Sequence, residues 1–202
     1  MNRIICIVGA GLLSCVGALA QEGGNPAGLS ADTPGLETAK PAADHSNAQD
    51  KLFVRQAAIG NQAEVELGQL ASKKATTQPV REFAQHMIDD HSKSRDKVRK
   101  LARGVNGQVS KDLDPEHQAV RAKLEKASGK DFDVQYIGAM IQDHQRTVNL
   151  LQWLITNGQN EPLKRYAIET LPDVTEHLEM AKQQYAMLTS GAPPSAPAPP
   201  AR

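Results

Sequence analysis

The sequence predicts an all-α protein, an antiparallel four-helix bundle with one extra short helix. Aromatic residues make up only 3% of the chain, so the core must be built mainly from aliphatic residues and Met, which favours helices. Apolar residues recur with a helical period in four long segments, and Pro, Gly or Asn marks the boundaries between them. Four amphipathic helices hide their apolar stripes most simply in an up-and-down bundle.

The first predicted helix runs from about Asp50 to Lys74. The second starts after Thr77, whose hydroxyl suits an N-cap, and continues to Arg103, where glycine ends it. A short third helix follows Asp114-Pro115, another cap-and-proline start, and ends near residues 128–129.

The fourth predicted helix begins around Asp131 and stops at Asn157-Gly158, where either residue suits a left-handed C-cap. The fifth opens near Asn160 and reaches about Thr189. Pro172 lies inside it and lacks the N–H that a helix interior needs, so we expect a kink there.

The segments outside these helices predict export and two disordered tails. Residues 1–20 form a signal peptide, with Arg3 before an apolar run and small residues at the cleavage point. The alternative is a lipoprotein signal in which Cys15 becomes the lipidated first residue, the only membrane attachment that we expect. Both readings place the mature protein in the periplasm or outer envelope.

Composition separates the remaining segments into tails and one domain. Residues 21–49 and the Pro/Ala-rich residues 191–202 show no apolar period, which predicts a disordered linker and a disordered tail around a domain at 50–190. Both cysteines, Cys6 and Cys15, lie in the signal segment. Disulfides and thiol-based zinc sites are therefore excluded from the domain.

One ionisable residue interrupts the apolar stripe of each long helix. These four residues are Glu64, His91, His144 and His177. Each lies near the midpoint of its helix, and midpoints share a level in an antiparallel bundle, so we expect the four side chains to meet. One carboxylate and three imidazoles form a ligand set suited to a single zinc, iron, manganese or copper ion.

The second and fourth helices also share a pattern, with Met four residues before His. Met87 and Met140 lie on the same helix face as His91 and His144 and are candidate additional ligands, whose sulfur would favour copper. Their plainer role is to fill the apolar core. An alternative without metal is that the four polar side chains form a hydrogen-bonded layer that sets the register of the helices. We expect His45, His86 and His117 to be surface residues.

Several function classes are excluded. Lys plus Arg equals Asp plus Glu at 23 each, and the charges are interspersed, so no basic surface exists for nucleic acid. The sequence contains no glycine-rich phosphate loop and no nucleophile elbow. We therefore expect a non-enzymatic protein that binds a metal, or a structural module that binds other envelope proteins. A metal-dependent redox enzyme is a weaker alternative, and the oligomeric state stays open.

Residues 52–188 resemble a bacterial domain family of unknown function, number 4142, whose members are often labelled predicted outer-membrane proteins. The resemblance depends on short stretches spread over the domain: Glu64-Val65-Glu66-Leu67-Gly68, Phe83-Ala84 with Met87, Asp90-His91, Ser128-Gly129, Phe132-Asp133 with Tyr136, His144, Leu171-Pro172 and His177. It implies a ferritin-like fold and export, and it brings no established activity. The Glu-x-x-His pairs of ferritin-like two-metal sites are missing, because Ile88, Ile141 and Val174 stand where glutamate is needed.

Overall fold

A computed structural model describes residues 48–190, and within this range all regular structure is helical. The five helices are α1 (Ala48–Lys74), α2 (Gln78–Gly104), α3 (Pro115–Lys126), α4 (Gly129–Asn157) and α5 (Glu161–Ser190). Each boundary lies within three residues of the predicted one. The predicted signal peptide, residues 21–47 of the linker and the C-terminal tail lie outside the described residues.

The helix ends show which capping predictions were correct. Asp114 caps α3, because its carboxylate accepts a 2.9 Å hydrogen bond from the backbone N–H of His117. Thr77 occupies the N-cap position of α2, but its side chain forms no capping bond. The predicted left-handed C-cap of α4 is wrong, since Gly158 has an extended backbone with φ −64°. Glycine is needed there because a Cβ atom would lie 2.6 Å from the carbonyl oxygen of Leu154.

The helices form the predicted antiparallel bundle, with one long crossover in place of an up-and-down connection. Short turns join α1 to α2 and α4 to α5. Phe83 packs on Tyr136 and His91 packs on His144, so α2 and α4 run in the same direction. Residues 105–128, which include α3, carry the chain back along the bundle between them. A single long crossover is the connectivity of ferritin-like bundles.

Two apolar clusters fill the bundle, one on each side of a buried polar layer. The upper cluster contains Phe53, Val98, Leu151 and Tyr166, from the first half of α1 and the halves of α2, α4 and α5 around it. The lower cluster contains Leu67, Phe83, Phe132 and Tyr136. The residues between them include the four ionisable side chains singled out above: Glu64, His91, His144 and His177. The polar layer thus separates the two apolar clusters of the core.

α5 runs as one helix across Pro172. The amide nitrogen of Pro172 carries no hydrogen, so it cannot bond the carbonyl of Ile168 one turn earlier. The expected kink at this position stays a prediction.

Every helix in residues 48–190 is too polar, over any stretch of sufficient length, to cross a lipid bilayer.

Asp133 joins the two helical hairpins at the lower end of the bundle. It lies on α4, is fully buried, and accepts three hydrogen bonds from the turn between α1 and α2. The donors are the backbone N–H of Thr76 at 2.9 Å, its hydroxyl at 2.8 Å and the backbone N–H of Thr77 at 3.0 Å. This carboxylate therefore fixes α4 against the turn that α2 starts from.

We expect Asp133→Ala to lower the free energy of unfolding by about 1.5–3 kcal/mol, because it removes the buried carboxylate that accepts three hydrogen bonds from the turn between α1 and α2. Asp131→Ala is the matched control. Asp131 lies on the same helical turn but is exposed, so its loss should cost under about 1 kcal/mol. Urea unfolding followed by circular dichroism measures both values. Equal losses in the two variants would contradict the role given to Asp133.

Candidate metal centre

Three histidines from three helices meet in the polar layer, as the sequence predicted. His91 lies on α2, His144 on α4 and His177 on α5, with 7%, 1% and 3% of their surface exposed. Their ring centroids are 5.4 to 5.6 Å apart. One ring nitrogen from each lies within 4.8 Å of the other two. We refer to these residues as the histidine triad.

Hydrogen bonds fix the outward nitrogen of two triad rings. His91 Nδ1 lies 3.0 Å from the side-chain oxygen of Asn61. The amide nitrogen of Asn61 in turn donates to the carbonyl of Ala57, so its oxygen must face His91. His144 Nδ1 lies 2.8 Å from the carbonyl oxygen of Met140. Both contacts need a proton on Nδ1, which leaves a lone pair on Nε2 of each ring.

The third ring is oriented by a carboxylate. His177 Nε2 lies 3.4 Å from Asp90 Oδ2, which places the proton on Nε2 and the lone pair on Nδ1. The three remaining nitrogens are buried and have no hydrogen-bond partner among the described residues. These atoms are His91 Nε2, His144 Nε2 and His177 Nδ1. The layer therefore holds three unmatched lone pairs.

The energetic cost of this arrangement is large for a single domain. A buried polar atom without a partner costs about 1–3 kcal/mol, and the whole fold is stable by only about 5–15 kcal/mol. Three such atoms together would consume a large share of that stability. A metal ion that accepts all three lone pairs removes the cost, because imidazole nitrogen is a strong ligand for transition metals.

Burial keeps the triad in the neutral form that binds metals. It lowers the pKa of His91 well below the usual value, with a further effect from the charges that His144 and His177 would carry. Burial also lowers the pKa of His144, and it lowers the pKa of His177 to about 4. All three imidazoles are therefore unprotonated at neutral pH, as ligation requires.

The triad needs only small adjustments to bind one ion. Imidazole nitrogens bind zinc at about 2.0–2.1 Å, so three of them around one ion lie roughly 3.4 Å apart. The triad nitrogens lie within 4.8 Å of one another. Side-chain shifts of about an ångström would bring them to the distance that ligation needs. A cavity of about 260 Å³ lies beside His91 and His177 and is lined further by Asn61, Ser94 and Tyr166. It offers room for water or another ligand in a fourth position.

Glu64 lies in the same layer but stays outside the group of triad nitrogens. Its Oε1 atom is 3.4 Å from His144 Nδ1, the nitrogen already engaged by Met140, and neither of its oxygens is hydrogen-bonded. Burial, and then the negative charge of Asp143, raises the pKa of Glu64 well above its usual value. Burial therefore favours the protonated, uncharged form of this side chain at the border of the site.

Met87 and Met140 fill the apolar core, the plainer of their two predicted roles. They are 0% and 1% exposed and belong to the lower cluster with Phe83 and Ile137. Met140 contributes to the site through its backbone, whose carbonyl orients His144.

The other histidines divide between surface and interior. His86 is exposed, as predicted, and His45 lies outside the described residues. The surface prediction for His117 is wrong, since only 7% of it is exposed. Its Nδ1 lies 2.6 Å from Asp114 and its Nε2 lies 3.2 Å from Asp143, so it ties α3 to α4.

Sequence reasoning missed the residues that orient the triad. Asn61 resembles any polar residue on a helix, and the carbonyl of Met140 leaves no trace in a sequence. Asp90 did leave a signal, because an aspartate precedes both His91 and His144. Since consecutive residues on a helix point about 100° apart, each aspartate contacts a histidine on another helix. Asp90 pairs with His177, and Asp143 pairs with His117.

Comparisons with known proteins agree with the fold. The family model described as Domain of unknown function (DUF4142) matches residues 35–184. A search of curated proteins gives no match. A crystallised DUF305 fragment from Deinococcus radiodurans has a TM-score of 0.62 at 14% sequence identity, covering 70% of this chain and 97% of the fragment.

Two structures of CopM are also similar to this chain. The Cu(II)-bound form has a TM-score of 0.58 at 19% identity, over 67% of this chain and 95% of CopM. The Cu(I)-bound form has a TM-score of 0.58 at 19% identity, over 69% of this chain and 97% of CopM. At these identities the likeness shows a shared helical fold.

The lowered pKa of His177 predicts acid sensitivity of the metal-free protein. Below about pH 6.5 the unfolded chain protonates this histidine, whereas the folded chain does so only near pH 4. Stability contributed by neutral His177 is thus lost as the pH falls through this window. His177→Gln should therefore reduce the slope of unfolding free energy against pH, between pH 4.5 and 6, by up to about 1.4 kcal/mol per unit.

His117→Gln is the control with the opposite sign. Desolvation lowers the pKa of His117, but its contacts with Asp143 and Asp114 outweigh it, so the pKa is raised overall. Its contribution is present below about pH 6.5 and is lost as the pH rises above that value. His117→Gln should change the slope above pH 6.5 and leave the acid limb intact. Chemical denaturation of chelator-treated protein across pH measures both, and identical acid limbs in wild type and His177→Gln would refute the assignment.

Proposed function

From the premise that the chain belongs to the DUF4142 family of unknown function, we propose that it is an exported, non-enzymatic protein that binds one copper ion through the histidine triad. The proposal is carried by one observation. Three buried imidazole nitrogens from three helices face one another and lack any other partner. Export is supported by the signal peptide that residues 1–20 predict.

The ligand set supports copper among the metals considered. Three neutral imidazoles without a carboxylate suit copper and zinc better than manganese, which prefers oxygen ligands. Between copper and zinc, a nitrogen site in general binds Cu²⁺ more tightly. The bundles similar to this chain include CopM, crystallised with Cu(I) and with Cu(II), which makes copper the first ion to test.

A hydrogen-bonded layer without metal explains the triad less well. In such a layer the polar atoms would pair with one another across helices. His91, His144 and His177 direct their bonded nitrogens away from one another, to Asn61, Met140 and Asp90. The nitrogens that could have paired are the unmatched ones, so register is better explained by Asp133 and the apolar clusters.

We expect wild-type protein, purified without an affinity tag and dialysed against Cu(II), to retain one copper ion per chain. His144→Gln removes one of three ligands and should weaken copper binding by about 100-fold or more. Losing a residue that only hydrogen-bonds a ligand already weakens metal binding by about 10- to 100-fold. His117→Gln replaces a buried histidine outside the triad and should keep the full copper content. Elemental analysis measures the stoichiometry, and equal copper in all three proteins, or none in the wild type, would rule the site out.

Glu64→Gln distinguishes three ligands from four. Glutamine has the shape of a protonated glutamate, so a side chain that stays protonated at the border should be replaced with little effect. We expect Glu64→Gln to change copper affinity by less than about tenfold. Tenfold is roughly the smallest effect of losing a residue that hydrogen-bonds a metal ligand. If Glu64 binds the ion, the variant should lose as much affinity as His144→Gln in a competition titration with a chelator of known affinity.

A further inference from the structure

A second group of metal-ligand side chains lies against the triad at the surface. It consists of His86, Asp90 and His177, whose ligand atoms lie within 4.8 Å of one another. Asp90 Oδ2 is 3.2 Å from His86 Nε2 and 3.4 Å from His177 Nε2. The side chain of His86 is 49% exposed, that of Asp90 is 36% exposed and that of His177 is 4% exposed. The group therefore runs from solvent to the edge of the triad.

His177 belongs to both groups through different nitrogens. Its Nε2 faces Asp90, whereas its Nδ1 is the unmatched atom of the triad. We propose that His86, Asp90 and His177 Nε2 form an outer metal site, which receives the ion from solvent and passes it to the triad. This inference rests on the proposed function, since it needs the triad to bind the ion.

The cavity beside the triad provides the path between the two sites. Asp90 and His177 line it from the outer group, and His91 lines it from the triad. Lys93 donates to Asp90 Oδ1 at 2.9 Å, which leaves Oδ2 for the ion. The Lys93 side chain is 73% exposed and can swing into solvent as the cation arrives. An ion at Asp90 thus reaches His91 through a cavity that both residues line.

The shared ring makes the two sites mutually exclusive. A neutral imidazole has one proton and one lone pair, so it binds an ion through one nitrogen at a time. When the ion sits outside, Nε2 of His177 holds it and Nδ1 carries the proton. When the ion moves inward, Nδ1 binds it and the proton moves through water to Nε2, which again faces Asp90. The charge and proton count of His177 are the same before and after, and one ion is bound per chain throughout.

Loading kinetics test the outer site. Cu(II) bound near a fluorophore quenches it, and Trp153 on α4 is the only tryptophan, so stopped-flow fluorescence follows uptake by the full chain. We expect His86→Gln to slow loading by about tenfold while the final content stays at one copper per chain, because the triad is intact. Asp89→Asn removes a charge next to Asp90 outside the group and should load at the wild-type rate.

A triad variant tests the same site at equilibrium. In the His144→Gln variant the ion should stay at the outer site and give a weaker copper signal in electron paramagnetic resonance. That signal should disappear in the double variant that also carries His86→Gln. Circular dichroism verifies the fold of each variant, and His91→Gln replaces His144→Gln if that chain does not fold. Copper uptake by His86→Gln at the wild-type rate would overturn the outer site and leave the triad standing. No uptake by the wild type would overturn both.

Discussion

The structure depends on one constraint: three imidazole lone pairs are confined in a layer that is sealed by apolar clusters above and below. Water cannot solvate these nitrogens freely, and the surrounding helices give them no hydrogen-bond donor. Carbon side chains at these positions would pack into the core at no such cost. The chain keeps polar groups there, and every other feature of the layer follows from how they are held.

The bundle holds the three rings by contacts that differ in kind. A side-chain amide orients His91, a backbone carbonyl orients His144, and a carboxylate orients His177. Each contact fixes the ring and decides which nitrogen keeps the lone pair, which is how protein sites prepare histidine for a metal. The crossover topology matters here as well, because it makes α2 and α4 parallel and brings their matching Met-and-His segments to the same level. The carboxylate differs from the other two partners in being about one-third exposed, at 36%, which makes the side of His177 the exposed side of the site.

Much of the fold could be predicted, because the residues that begin and end a helix, such as Asp114, Thr77 and Gly104, are recognisable from the local sequence. The level of the polar layer could also be predicted, since one ionisable residue interrupts each long stripe near its midpoint. Connectivity could not, because nothing local says that residues 105–128 return along the bundle. The sequence places Glu64 at the same level as the histidines, and only the packing of the folded chain brings it to the engaged nitrogen of His144. The sequence predicts a surface position for His117 because its burial depends on Asp143, a residue of another helix.

X-ray absorption at the copper edge tests the central claim most directly, because it reports the atoms that surround the ion in the loaded protein. Ligation by the histidine triad predicts a first shell that contains three imidazole nitrogens at about 2.0 Å, with the multiple scattering typical of histidine rings. A sulfur neighbour at about 2.3 Å would transfer the site to Met87 or Met140. A shell without imidazole scattering would contradict the account altogether.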